Sequence, residues 1–271
     1  MINRRAGIVL LCFGLALTWL SCDKPNNDGN GPSGPYMLSY GDSILYLKPQ
    51  GGDYVVRPTE VRPGSYEGFP EGIEIDDKTG EINVSKSETG LRYRITHTAP
   101  DGTLTETMVV LSGITFTDKY YNLSQNDSIA LPVYNALASR VLPVAGSVFD
   151  EGGGAQASGC DVQTVNGRIN LAKSVRDGLF GANPKNDDRR DIDIVYRLND
   201  GSNKAANKLR VRLYYYTSMA TVADDLKQTL KEREDDGVFL RDSRATASTT
   251  EQGKIQRLAK PRPPCVVIIA N

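Results

Sequence analysis

Apolar and polar side chains alternate at a period of two along several short runs of this chain. Leu91, Tyr93 and Ile95 fall on one side of an extended segment and Arg92, Arg94 and Thr96 on the other, because successive side chains of a strand point to opposite faces. Similar runs follow Asp42-Ser43-Ile44 and Asp127-Ser128-Ile129, and others cover TMVVLSGI, IDIVYRL and KLRVRLYYY. Gly, Pro and Asx residues punctuate them, with reversals expected at Asp101-Gly102 and Asp200-Gly201. Short alternating strands without helical periodicity predict an antiparallel β-sandwich.

The landmarks occur twice and in the same order. GEINVSKSETGL at 80–91 is matched by GRINLAKSVRDGL at 167–179, and the two Asp-Ser-Ile triplets lie 85 residues apart. This order predicts a tandem duplication, one module at 36–117 and a second at 118–216, the second carrying an insertion at 183–191. Beyond Tyr216 the period changes to 3.6: Met219, Val222, Ala223, Leu226 and Leu230 form one stripe, with Thr217 or Ser218 as N-cap. A helix of about 17 residues, about 25 Å long, is expected there, packed on the second module. Residues 234–262 are polar and read as a mobile or interaction loop. CVVIIA at 265–270 reads as a strand that pairs with an edge of the second sheet.

Residues 1–21 have the parts of an export signal: Arg4 and Arg5, then an apolar run to Leu20, then Ser21. The apolar run is shorter than the roughly 20 residues that span a bilayer. Leu20-Ser21-Cys22 resembles a bacterial lipobox, in which the chain is cut before the cysteine and its thiol carries the lipid, although Trp19 stands where leucine is usual. Cys22 is thus the expected lipidation site and 22–35 a flexible tether, since residues 23–35 lack hydrophobic side chains.

Ile75, Asp76, Thr79, Gly80 and Ile82 occupy the places of an "I-D-x-x-T-G-x-I" turn. Residues 71–102 thereby resemble the immunoglobulin-like and cadherin-like modules of bacterial surface proteins. Asp76 can accept backbone hydrogen bonds there and Gly80 can adopt positive φ. Together with the lipobox, the chain resembles a Bacteroidetes-type envelope lipoprotein. That resemblance implies an outer-membrane location, periplasmic or surface-exposed. It also implies O-glycosylation at Ser43 and Ser128, each within an Asp-Ser-apolar triplet; the alternative is that both are the same strand start of a duplicated module.

Composition narrows the chemistry. The chain has 271 residues, 32 basic against 33 acidic, with one histidine, one tryptophan and four cysteines. Without a basic cluster set among aromatics, nucleic acid is not an expected partner. Cys12 lies in the signal and Cys22 carries the lipid, leaving Cys160 and Cys265 to form a disulfide or to remain free thiols. His97 is the sole imidazole a triad could use, and it sits mid-strand, where packing is the ordinary role. Asp187, Asp188, Asp191 and Asp193 could offer oxygens to calcium, but Arg189 and Arg190 interrupt them, and a solvated charged loop fits better. Acid pairs such as Asp76-Asp77 and Asp150-Glu151 could serve a glycosidase only across one cleft. Tyr214 and Tyr216, on the same face of one strand, are the candidate sugar platform, with core packing as the other role.

These readings converge on a non-catalytic, lipid-anchored envelope protein that binds or assembles through two immunoglobulin-like modules. No cofactor or metal is expected; the partners are the membrane and another envelope protein or a glycan. The alternatives are a glycan-binding lipoprotein of a polysaccharide-uptake system and a carboxylate-based hydrolase.

Overall fold

The alternation along 91–96 builds the centre of the first sheet. A computed structural model describes residues 36–137, 139, 141–142, 145–235 and 263–271, and the chain is mostly β. Four strands, β1 (Ile44–Leu45), β3 (Ser65–Phe69), β5 (Arg92–Thr98) and β6 (Leu104–Leu111), lie in the order β1-β6-β5-β3. Tyr93, Ile95 and His97 of β5 are buried while Arg92, Arg94 and Thr96 are half-buried on the other face. The β5–β6 hairpin turns at Asp101-Gly102 as expected, with Asp101 Oδ1 accepting from Thr103 N at 2.9 Å and Gly102 at φ +85°. Beside this sheet β2 (Val55–Val56) pairs antiparallel with β4 (Ile82–Asn83).

The second half repeats much of this plan. β7 (Ile114–Phe116) pairs with β10 (Pro132–Tyr134), and β9 (Ile129–Ala130) with β12 (Ile169–Asn170). A five-stranded sheet has the order β11-β13-β14-β15-β8, made of β8 (Lys119–Asn122), β11 (Val148–Phe149), β13 (Asp188–Arg197), β14 (Ala206–Tyr216) and β15 (Cys265–Ile269). Among the described residues three α-helices accompany the strands: α1 (Gly154–Ala157), α2 (Leu171–Arg176) and α3 (Asp224–Asp235).

The repeated motif around Gly80 and Gly167 folds in one way twice. Ile75 bridges Ile82, and Val162 bridges Ile169. Asn83 Oδ1 accepts from Lys86 N at 3.1 Å and Asn170 Oδ1 from Lys173 N at 3.0 Å. Ser87 Oγ donates to Asn83 O and accepts from Glu74 N; Ser174 Oγ does the same with Asn170 O and Asp161 N. Gly80 (φ +70°) and Gly167 (φ +69°) approach aromatic rings so closely that a Cβ would stand 2.7 Å from Tyr66 and 2.8 Å from Phe149. The Asp-Ser-Ile triplets, in contrast, are not equivalent. Ile44 belongs to β1, parallel to β6, whereas Ile129 belongs to β9, whose partner β12 corresponds to β4, the partner of β2. Sequence identity at the triplets therefore falls on different strands.

A polar seam joins the halves within one compact unit, residues 36–271. Asn135 accepts from Gly113 N and donates to Leu91 O and Leu111 O, and Asn207 Nδ2 donates to Thr89 Oγ1 at 2.8 Å. Asp200 Oδ2 accepts from Ser112 Oγ at 2.9 Å and from Tyr134 Oη at 2.8 Å.

Three expectations are corrected by packing. The helix begins at Asp224 rather than near 217, because side-chain hydrogen bonds hold the preceding residues in other shapes. Asn186 Oδ1 accepts from Thr217 N, and Thr221 bonds back to Ser218, closing a 3₁₀ turn at Met219–Thr221. The stripe survives in Val222, Leu226 and Leu230, while Met219 is exposed. The segment expected as an inserted loop ends in strand, since β13 starts at Asp188. Lastly, β15 does not cap an edge: it lies inside the sheet, parallel to β14 on one side and to β8 on the other.

Candidate functional site

The feature that separates the second sheet from the first is this interior strand. In the first sheet β1 pairs directly and in parallel with β6, Ile44 opposite Val110. In the second, the corresponding strands β8 and β14 are held one strand apart, and β15 occupies the gap, with Arg212 opposite Cys265, Tyr216 opposite Ile269 and Val266 opposite Lys119. Pro263-Pro264 precede the strand, and Pro264 O accepts from Arg212 N at 2.9 Å. All five residues of β15 are buried. Val266 and Ile268 enter the large core of the second half, while Cys265, Val267 and Ile269 face α3 with Val222, Leu226 and Leu230. Burial on both faces is what a continuous apolar run with parallel neighbours serves.

A buried polar latch sits at the entrance of the gap. Asp118, just before β8, accepts from Cys265 N at 2.6 Å through Oδ1, and Arg233 Nε of α3 stands 3.0 Å from its Oδ2. Arg233 Nη1 also donates to Pro263 O and to Cys265 Sγ, each at 3.2 Å. Burial pushes the Asp118 carboxyl up, and the Arg233 guanidinium opposes that shift. Burial and the Asp118 carboxylate raise the Cys265 thiol, again against Arg233. A buried thiol of raised pKa is a packing group and not an activated nucleophile. Neither Asp118 nor Arg233 carries a pattern that sequence reading could single out.

The expected disulfide is corrected here. Cys160 and Cys265 are both free and buried. Cys160 lies in the large core and Cys265 on the α3 side of the sheet, so the strands themselves separate the two thiols, whereas a disulfide needs Cα atoms within about 7 Å. Burial pushes the Cys160 thiol up to about 12.

Tyr214 and Tyr216 do share a face, but α3 covers them: they are 4% and 1% exposed, and no flat aromatic platform is offered to a sugar. Tyr216 Oη donates instead to Asp187 Oδ1 at 2.7 Å. Asp191 and Asp193 alternate along β13 opposite Arg212 and Arg210, which meet them at 2.6 and 2.7 Å. These guanidinium hydrogen bonds hold both carboxyls below their ordinary value. Among the described residues no group of three or more His, Cys, Asp or Glu side chains is placed to hold a metal ion. His97 is buried against Tyr36 and Tyr66, with Nε2 3.1 Å from Pro63 O. Ser43 is exposed and Ser128 half-buried. Cys22 and the segments expected as signal and tether, 1–21 and 22–35, lie outside the described residues, as does 236–262.

A surface hollow of about 510 Å³ lies between the end of α1 and α2. Its two acids, Asp161 and Asp177, share one ammonium: Lys173 Nζ stands 3.1 and 2.6 Å from them. A glycosidase pair faces the scissile bond across one cleft; these two carboxylates are instead both engaged by one lysine.

No protein-family model matches this chain, and no curated protein sequence is similar to it. Among solved structures, the crystal structure of Drosophila N-cadherin EC1-4 is similar over 66% of this chain at 10% identity with a TM-score of 0.20. The matched part spans about half, 48%, of that cadherin chain. This is a weak and distant likeness to cadherin repeats. No helix among the described residues is long and apolar enough to cross a membrane.

Proposed function

We propose that this protein is a non-catalytic, lipid-anchored envelope component of two immunoglobulin-like modules, the second carrying the C-terminal helix and strand, and that it works by assembly with other proteins. The observation that carries the reading is the one-strand gap between β14 and β8, a site whose chemistry is backbone pairing and apolar burial. The groups that other functions need are engaged internally. The tyrosine pair lies under α3, the β13 acids are matched by β14 arginines, and the acids of the hollow share Lys173. A glycan-binding lipoprotein and a carboxylate hydrolase are therefore less well supported.

Cys22 is proposed as the lipidated residue and the outer membrane as the location. Exposure of Ser43 is compatible with modification there. The test of the anchor is expression in a Gram-negative host with labelled palmitate. The wild-type chain is expected to take up label and to fractionate with envelopes, and Cys22→Ala to do neither. Label retained by Cys22→Ala would overturn the anchor, and an unlabelled, soluble wild type would overturn the envelope reading.

A further inference from the structure

We infer that the gap between β14 and β8 is an exchange site, and that in the assembled protein it is filled by β15 of a second copy of this chain. The inference rests on the assembly reading and names its partner. Three observations carry it. The first sheet closes β1 directly on β6, so a module of this plan does not need a further strand; the second sheet is built with room for one. The strand that fills it comes from far along the sequence, and every one of its residues is buried, two apolar faces and two ladder edges at once.

The third observation is the length of the connection. Arg233 Nη1 donates to Pro263 O at 3.2 Å, so the end of α3 and the start of β15 are neighbours. Yet 27 residues separate Asp235 from Pro263 in the sequence. Closing that short distance within one chain needs only a turn; a contour of about 90 Å reaches a neighbouring molecule. The contacts in the gap would be identical in both arrangements, since the same residues meet the same partners. Exchange of one identical element is accordingly a low-cost route to dimers, governed by concentration rather than by new contacts. If each copy donates its strand to the next in one direction, the interface is head-to-tail and need not close on two chains.

The register supplies a direct test, because Arg212 lies opposite Cys265 on the same face. Neighbouring strands are about 4.8 Å apart, within disulfide range. Residues 23–271, which contain the whole compact unit, would be made in two differently tagged forms, both with Cys160→Ala. One carries Arg212→Cys and Cys265→Ala, the other keeps Arg212 and Cys265. Neither can form the bond within its own chain. After co-expression and oxidation, a disulfide linking residue 212 of one form to Cys265 of the other is expected, doubling the mass on a non-reducing gel. A third form, Arg212→Cys with Cys265 retained, reports the bond within one chain. Closure of that form to a monomer, with no link between the two tagged forms, would overturn the exchange.

Light scattering of the unsubstituted 23–271 chain gives a readout that does not depend on the thiols. The expected mass is at least double that of one chain and rises with concentration; a single-chain mass from micromolar to near-millimolar concentration would overturn the inference. A multimer without the 212–265 link would overturn exchange while leaving assembly through another surface. Loss of the palmitate label from the wild type would instead strike the envelope reading alone.

Discussion

Arg233 of α3 and Asp118 ahead of β8 face each other at 3.0 Å, with 11% and 9% of their side chains exposed, and between them they fix the first residue of β15. Removing one partner of a buried pair leaves the other charge uncompensated, at a cost of roughly 3–5 kcal/mol. Arg233→Met and Asp118→Ala are therefore each expected to lower the urea midpoint strongly, followed by circular dichroism because the only tryptophan, Trp19, lies outside the described residues. The double variant is expected to lose less than the sum. Single variants with unchanged midpoints would show that the pair does not hold β15.

The repeated turns give a matched pair of substitutions. Gly80→Ala and Gly167→Ala each force a side chain into left-handed backbone and into the ring of Tyr66 or Phe149. Each is expected to destabilise by about 1–3 kcal/mol. Asn83→Ala and Asn170→Ala each lose the side-chain cap of the following turn, at about 1 kcal/mol. Similar losses in the two halves are the prediction; a neutral Gly167→Ala would mean the second turn can move where the first cannot.

Thiol accessibility checks the core. Neither Cys160 nor Cys265 should react with iodoacetamide in the folded protein, and both should react once it is unfolded without reductant. A mass two hydrogens lower, with no alkylation after unfolding, would restore the disulfide and contradict the separation of the thiols by the sheet.

Acid should weaken the fold partly through β13. Hydrogen bonds from Arg212, Arg210 and Arg189 hold Asp191, Asp193 and Asp187 below the ordinary value of 3.8. Folded values below unfolded ones mean stabilisation that is complete above 3.8 and is lost as pH falls through the folded values. An Asp191→Asn, Asp193→Asn variant is expected to lose less stability on acidification than the wild type, in urea midpoints measured across that window. Parallel curves would show that the ladder is screened by solvent and contributes nothing.

Much of this fold is legible in the sequence where one face of a strand is wet. Tyr93, Ile95 and His97 alternate with half-buried neighbours, and the reading of β5 follows directly. It fails where both faces are covered. Leu213 to Tyr216 are all buried because the core lies on one side and α3 on the other, so two of three adjacent tyrosines resemble a platform in the sequence and are packing in the fold. CVVII is the same case: a continuous apolar run signals an interior parallel strand as well as an edge to be covered, and length alone does not separate them. The latch was beyond reach, since Asp118, Arg233 and Cys265 meet only through the placement of β15 between distant strands. The repeat was legible at INVSKS and INLAKS, whose asparagine and serine are required by the turn itself; Asp-Ser-Ile misled because a short strand start recurs without any such constraint.

The proposed function joins a lipid anchor at Cys22 to assembly of chains in the envelope. Its most direct test is the native mass of the palmitate-labelled protein extracted from envelopes in mild detergent. Label is expected in a species of two or more chains. Label confined to a single-chain species, or a multimer that carries none, would contradict it.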